Sequence, residues 1–402
     1  MAKILITSVG TGDIKKDSDS EYQETIYTID GEEYPNTLTS QVIVEHYGID
    51  KIIFIGTSGS MWDNLYFRYN GENADYMDML TEKKKERGIN NLSKEDLREF
   101  CLAIDNYLES ENAGTEVVLL DYSQNNSDEI WDNFEKLISI KEYINEGDKI
   151  YLDITHGFRY MPILNIFMLE FLKTLNSNKF SIEAILYGLF ANEKSEIIDF
   201  KIFFDLLEWI RAIDSFKNYS DGFRLAELIE TEDIDSSKIF KQFSNNAKLA
   251  HMHSIWKFIK DANKKIKKVE KSDNRIIKLL SKEITTLTDK FNKDRQSSFQ
   301  FELAKWFRDG HNYALAYIAL YEAIISRVCE DKGYDILEHY EREEAKKHVD
   351  YPYNKLFNTK YDNSISKIRN EIVHQNQQRV NLVKQDIEKL SIFLDEFEDF
   401  FK

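Results

Sequence analysis

Cysteine is nearly absent from this chain of 402 residues. Cys101 and Cys329 lie far apart and outside any CxxC spacing, which argues against both a disulfide framework and a thiolate zinc site. Proline is as scarce, with 3 in all, and only Pro352 falls in the second half, so long helices can run there with little interruption. No apolar stretch reaches the roughly 18 residues needed to span a bilayer. The N-terminal run MAKILITSVG has one lysine and no small-residue cleavage site, unlike a signal peptide. A soluble, cytoplasmic protein with no membrane partner is expected. Positive charge is also in deficit: Lys+Arg number 53 against 71 Asp+Glu, a net charge of −18. That balance repels a polyanion at long range, so any nucleic-acid contact must use a local basic cleft. The lysines at 257, 260, 264, 265, 267, 268 and 271 cluster, and on charge pattern they read as a solvated helix face.

Apolar residues are plentiful at 42%, with 26 Phe and 22 Tyr, enough for packed cores, and the length suggests two domains. From Lys3 to Leu186, short β-rich runs alternate with amphipathic stretches, the signature of βαβ units around a mostly parallel sheet. Strands are expected at Lys3–Val9, Lys51–Gly56, Glu116–Leu120, Lys149–Ile154 and Ser181–Leu186. Helices are expected at Thr39–His46, capped by Thr37 or Thr39, and at Asp128–Ile144, capped by Ser127. Residues Tyr22–Ile29 alternate and turn at Asp30-Gly31, which predicts an inserted hairpin. The charged stretch Asn70–Lys94 reads as a variable loop or helical excursion. After about Ile197 glycine nearly vanishes and apolar residues recur at helical spacing through Leu206–Ile213, Ile276–Phe291, Phe299–Val328 and Ile365–Phe400. The reading is a Rossmann-like α/β domain over residues 1–205 and an all-α domain over 206–402.

Three strand ends carry small polar residues: Ser8-Val9-Gly10-Thr11-Gly12, Gly56-Thr57-Ser58-Gly59-Ser60, and Asp153-Ile154-Thr155-His156-Gly157-Phe158-Arg159. In open α/β sheets ligands sit at such ends, where glycines admit the backbone, hydroxyls bond phosphate or ribose, and an arginine pairs with phosphate. Singly, such residues equally serve plain turn geometry. A dinucleotide fingerprint fails because Lys15 stands where Gly10-x-Gly12 needs its third glycine, and a nucleophile elbow fails because Gly59 comes one place early. An Asp153/His156 hydrolytic pair remains open, although no serine is nominated for it.

The run Asp153-Ile-Thr-His-Gly-Phe-Arg-Tyr-Met-Pro162 resembles the signature of the CARF domains of CRISPR-associated proteins, as do Ser8–Gly12 and Gly56–Gly59, over about the first 200 residues. The resemblance implies a cyclic oligoadenylate as ligand and activator, with cyclic tetra-adenylate the expected ring. It is expected to touch Ser8, Gly10, Thr11, Gly12, Thr57, Ser58, Gly59, Thr155, His156, Gly157 and Arg159. The insertion Lys15–Asn36 and the stretch after Asn70 fall outside the pattern and leave ring size open. A ring with rotational symmetry suits a two-fold dimer.

In the second half, the helix Ile365–His374 carries Ile365, Ile368 and Ile372 on its core stripe, with Arg369 and His374 off it, roughly 140° apart at about 100° per residue. Arg369-Asn370-x3-His374 resembles the motif of HEPN ribonucleases, and the helix Trp306–Val328, with Asn312, Tyr313, Ala316, Tyr321 and Glu322, resembles that family's opening helix. The resemblance implies a homodimeric or higher single-stranded-RNA endoribonuclease with no cofactor and no metal. RNA supplies its own 2′-hydroxyl nucleophile, which DNA lacks. His374 would move the proton, Arg369 would stabilise the developing phosphorane charge, and Asn370 would hold the phosphate. A metal nuclease is disfavoured, since His251-x-His253 is the one close histidine pair and no acidic cluster accompanies it. Two rivals remain: a ligand-binding module with a non-catalytic helical domain, and a ring nuclease using Thr11, Ser58 or Thr155 to position a phosphate.

Overall fold

The computed structural model describes residues 1–10, 25–85, 91–121, 127–175, 180–189, 194–231, 233–257, 259, 275–361, 363–374 and 382–402. The chain divides into two compact units, Met1–Asp205 and Leu206–Lys402.

The first unit is built on an eight-stranded sheet: β1 Lys3–Ser8, β2 Thr25–Ile29, β3 Glu32–Asn36, β4 Lys51–Gly56, β5 Glu116–Leu119, β6 Asp148–Asp153, β7 Phe180–Leu189 and β8 Lys194–Asp199. Its order is β3-β2-β8-β7-β6-β1-β4-β5. The five strands from β7 to β5 run parallel, with β1 central between β6 and β4. β1 and β4 are buried along nearly their whole length, as strands covered on both faces must be, which is why they read as unbroken apolar runs. The expected strands agree with these to within a few residues.

The sheet is mostly parallel, as expected, but mixed: two pairs, β7–β8 and β2–β3, are antiparallel. β8 pairs antiparallel with β7, and β2 pairs parallel with β8, carrying the hairpin to the sheet edge. β8 reads Lys-Ser-Glu-Ile-Ile-Asp and gains its strand character from those two neighbours. The hairpin turns at Asp30-Gly31 as the sequence predicts, with φ of 49° and 85°. Its outer strand β3 carries Pro35, which an edge tolerates. The first residues of the expected strand, 22–24, lie outside the described residues.

Among the described residues, helices α1 Thr39–Tyr47, α2 Trp62–Arg68, α3 Ala74–Lys85, α4 Arg98–Leu108, α5 Ser127–Ile138 and α6 Met161–Leu175 connect the strands. Neither Thr37 nor Thr39 caps α1. Leu38 holds the N-cap position without a side-chain bond, Asn36 Oδ1 accepts from the backbone of Thr37 and Leu38, and the Thr39 hydroxyl is engaged with His156. α5 stops at Ile138 and continues as a 3₁₀ turn over Ser139–Tyr143, instead of reaching Ile144; Ser139 Oγ bonds back to the Lys136 carbonyl at that point. Within the charged stretch after Asn70, α3 buries Tyr76 and Leu80 in the core.

The second unit is helical: α7 Lys201–Tyr219 leads into α8 Phe223–Glu230, α9 Ile234–Lys248, α10 Arg275–Lys290, α11 Gln296–Asp309, α12 Tyr313–Lys332, α13 His339–Lys347, α14 Tyr353–Phe357, α15 Ile365–Val373, α16 Val383–Glu396 and α17 Glu398–Phe401. Trp306 centres its core, with Phe216, Phe243 and Phe291 at ring-centroid distances of 5.9, 5.5 and 5.1 Å. The expected single helix Trp306–Val328 is two helices. Gly310 lies so close to the chain that a Cβ there would sit 1.9 Å from the Asn218 carbonyl oxygen, and His311 takes a φ of 58°. The run Ile365–Phe400 is likewise divided, with residues 375–381 outside those described. Of the lysine cluster only Lys257 lies within the described residues. No described helix is long and apolar enough to cross a membrane.

Candidate functional site

The carboxyl ends of β6, β1 and β4 lie side by side, with Thr7 in register with Asp153 and Ser8 with Ile55. Here the chain order reverses across the sheet, the place where open α/β folds open a crevice. Asp153, completely buried, holds this edge together. Its Oδ2 accepts the Thr7 hydroxyl at 2.8 Å and its Oδ1 accepts the Thr155 backbone N–H at 2.9 Å. Thr155 Oγ1 in turn accepts the Gly188 N–H at 2.8 Å, tying the turn to the end of β7.

His156 Nε2 lies 3.0 Å from Thr39 Oγ1. Burial pushes its imidazole below the ordinary value, and the neighbouring Asp153 carboxylate pulls the other way. Gly157 takes a φ of +103°, and a Cβ there would stand 2.9 Å from Ser8 Cβ, so glycine is required for both conformation and space. Ser8 Oγ accepts from Asn165 Nδ2 at 3.1 Å, and Asn165 is fully buried with its Oδ1 unpartnered. Arg159 stands exposed just before α6, between Phe158 and Tyr160, whose rings stack 5.7 Å apart.

The loops after β1 and β4 are stitched to one another. Ser60 Oγ donates to the Val9 carbonyl and accepts from the Thr57 N–H, each at 3.0 Å, and the Met61 N–H donates to the Gly10 carbonyl at 3.0 Å. Trp62 Nε1 donates to the Thr57 carbonyl at 2.8 Å, and its ring fills the space a Cβ on Gly56 would need. Ser8, Thr57 and Ser58 are consequently buried, whereas Gly157 and Arg159 face solvent and Gly10, Gly59, Thr155 and His156 are half-buried. Thr11 and Gly12 lie outside the described residues. The edge thus offers solvent a rim of glycine backbone and one arginine, braced by hydroxyls.

In the second unit, Ser364 caps α15 by accepting the Lys367 N–H. Arg369 lies on that helix with its guanidinium carbon 4.9 Å from the centre of the Tyr321 ring and Nη1 donating to Asn370 Oδ1 at 3.1 Å. Its Nε is buried without a partner. Arg369 also lines a cleft of about 660 Å³ with residues of α11, α12, α13 and the segment 250–254. His374 is the C-cap of α15 rather than its last helical residue, is exposed, and is not part of that cleft wall. Arg369 and Asn370 are therefore brought together, and His374 stands apart at the helix end. Among the described residues no three His, Cys, Asp or Glu side chains are grouped to hold a metal ion.

The model of the CARF domain of the CRISPR system endoribonuclease Csx1 matches residues 4–190, which take in β1 to β7. The chain is a CARF-containing CRISPR-associated protein. Residues 205–298 match the second domain of the CRISPR-associated protein MJ1674. MJ1674 itself, from Methanocaldococcus jannaschii, is 30% identical over 404 residues, covering 93% of this chain and 62% of the relative, so the chain spans under two thirds of that relative's length. Among solved structures, Enterococcus italicus Csm6 bound to cyclic hexa-2′-fluoro-hexa-dAMP covers 100% of this chain and 97% of that one, at 13% identity and a TM-score of 0.39. That likeness is too distant to transfer detail.

Within the CARF unit, four residues that brace the edge escape sequence reasoning: Thr7, Thr39, Ser60 and Asn165. Ser60 ends the Gly56–Ser60 run, in which sequence alone points to Thr57, Ser58 and Gly59. The others lie in helices or strands, 117 to 157 positions from their partners, and nothing local in the sequence marks them.

Proposed function

We propose that this CARF protein is a metal-independent, single-stranded-RNA endoribonuclease switched on by a cyclic oligoadenylate. The first unit binds the ring at the carboxyl edge of β1, β4 and β6. Backbone N–H groups of Gly10, Gly59 and Gly157 and the N-terminus of α6 suit its phosphates, with Arg159 at the rim. The second unit cuts through Arg369, Asn370 and His374. A ring that binds the active state more tightly than the resting one shifts the equilibrium by that difference in affinity.

The main support for cutting is Arg369: its guanidinium carbon sits 4.9 Å from the centre of the Tyr321 ring, on the wall of an open cleft, a placement suited to pairing with a phosphate oxygen. His374, exposed five residues on, is free to move a proton between the 2′-hydroxyl or 5′-oxygen and water. Dimerisation brings a second copy of the motif into play. An apolar stripe suits that role: Ile163, Phe167, Phe171 and Leu175 recur every fourth residue on α6, each at least 44% exposed, beside Trp131 at 69%.

The test is product chemistry. Protein given a cyclic oligoadenylate and a labelled RNA in chelator should yield 2′,3′-cyclic phosphate and 5′-hydroxyl ends and leave the DNA counterpart intact. Binding of the ring without cleavage would instead leave a binding module, and linearised ring would favour the ring-nuclease reading.

A further inference from the structure

We propose that Arg342 and Lys346 on α13 extend the Arg369 site into a track of cations that holds backbone phosphates of the RNA strand beside the scissile one. The inference deepens the ribonuclease reading and rests on it, because the phosphate at Arg369 is taken to be the one that reacts.

A chain of net charge −18 repels RNA at long range, so the strand needs a local patch of opposite sign. The cleft beside Arg369 has that sign: its lining holds two arginines, Arg342 and Arg369, against one carboxylate, Glu322. The two arginines come from different helices, α13 and α15, and meet consecutive residues of α12. Arg342 pairs with Glu322 and donates through Nη1 to the Ile336 carbonyl at 3.2 Å, so its guanidinium is fixed in place. Arg369 sits with its guanidinium carbon 4.9 Å from the centre of the Tyr321 ring. Lys346 brings a third cation to the same ring, its Nζ 5.7 Å from the centre. The cations of Arg369 and Lys346 are therefore no further apart than those two distances laid end to end. Arg342 and Lys346 are four residues apart on α13, hence on one face and about 6 Å apart along its axis, comparable with the spacing of successive phosphates.

Like charges gathered this closely repel, and their neutralisation is partial. Glu322 answers Arg342 and Glu343 answers Lys346, while Nη1 of Arg369 meets the uncharged Asn370 amide. The side chains of Arg342 and Lys346 keep 22% and 31% exposure, which leaves both within reach of a ligand. Ion pairs this exposed are weak, so a phosphate can take the place of either carboxylate. An arginine fork accepts two phosphate oxygens and a lysine acts as a point charge. Contacts of this kind position a strand without reading its bases.

Full-length His374→Ala protein, which by the same reading leaves the strand uncut, is titrated with fluorescent oligo(A) and oligo(U) RNA over a range of salt, with cyclic tetra- or hexa-adenylate present. Arg342→Gln and Lys346→Gln should each weaken binding on the order of tenfold, equally for both strands. Each should also make the dependence of log affinity on log salt shallower by about 0.7, the share of one phosphate on a single strand. Arg342→Lys keeps the charge and should keep the slope, and Glu322→Gln, which removes the competing carboxylate, should tighten binding severalfold. If Arg342→Gln does not fold, Lys346→Gln carries the test. A slope unchanged in the glutamine variants overturns the proposal, even if affinity falls, because that result marks a structural role. A loss confined to one strand makes these residues base readers and overturns it, and so does a loss of affinity for the ring instead of the RNA. The two readings fail separately: a shallower slope in a protein that cuts nothing with His374 intact keeps the track and loses the ribonuclease, and cutting with an unchanged slope does the reverse.

Discussion

Thr7 on β1 and Asp153 at the end of β6, 146 positions apart in sequence, share a buried hydrogen bond of 2.8 Å. The same carboxylate receives the Thr155 N–H, so one side chain sets both the strand spacing and the start of the turn that carries His156 and Gly157.

Asp153→Asn replaces one acceptor oxygen with an NH₂ that faces either a hydroxyl or a backbone N–H. The loss should be about 1–3 kcal/mol, the cost of leaving a buried polar group unmatched. Thermal melting should fall accordingly, and ring affinity with it, while the helical content of the second unit is unchanged by circular dichroism. A variant with unaltered stability and affinity would remove Asp153 from the account.

Gly157→Ala meets two obstacles, a φ of +103° and Ser8 Cβ at 2.9 Å. It should cost about 1–3 kcal/mol of local strain. Pairing it with Ser8→Gly should recover part of the loss, because it removes the steric share while the backbone share remains. A double-mutant cycle on melting temperature measures the coupling.

His156 sets a pH dependence. Its folded pKa lies below the ordinary value because burial disfavours the charged ring. Its contribution to stability is therefore fully present above the unfolded value, about 6.5, and is lost as pH falls from there through the depressed folded value. Denaturant midpoints taken between neutral and mildly acidic pH should fall less steeply for His156→Gln than for the parent. An identical slope would mean that the ring titrates freely.

How much of this was legible in the sequence follows from locality. The parallel strands were, because burial on both faces forces continuous apolar runs such as Ile4–Ile6 and Ile52–Ile55. The Asp30-Gly31 turn was, because two consecutive left-handed residues demand those types. β8 was not, since its strand character comes from β7 and β2 rather than from its own residues. The break at Gly310 depends on a carbonyl of Asn218, and the seat of Arg369 on Tyr321, a contact across 48 positions, has no local signature either.

Arg369→Lys keeps the charge but loses the planar group that lies over Tyr321. Under the proposed mechanism turnover should drop on the order of 10²–10³-fold, as when an oxyanion donor is removed, with RNA affinity little altered. Single-turnover cleavage against RNA binding separates the two. A lysine variant of near-normal rate would reduce Arg369 to a point charge.

Phe167→Glu places a charge in the exposed apolar stripe of α6. If that face joins two copies, light scattering should show the variant as a monomer with nearly unchanged melting and no ring-activated cleavage. A variant that remains dimeric would put the interface elsewhere.

The most direct test of the whole account is the cleavage rate of a fluorescent single-stranded RNA in chelator, with and without cyclic tetra- and hexa-adenylate, for the parent and for Arg369→Ala. The account predicts cleavage only with one of the rings and only in the parent, with the variant still binding that ring. Cleavage that ignores both rings, or that persists in Arg369→Ala, would contradict it.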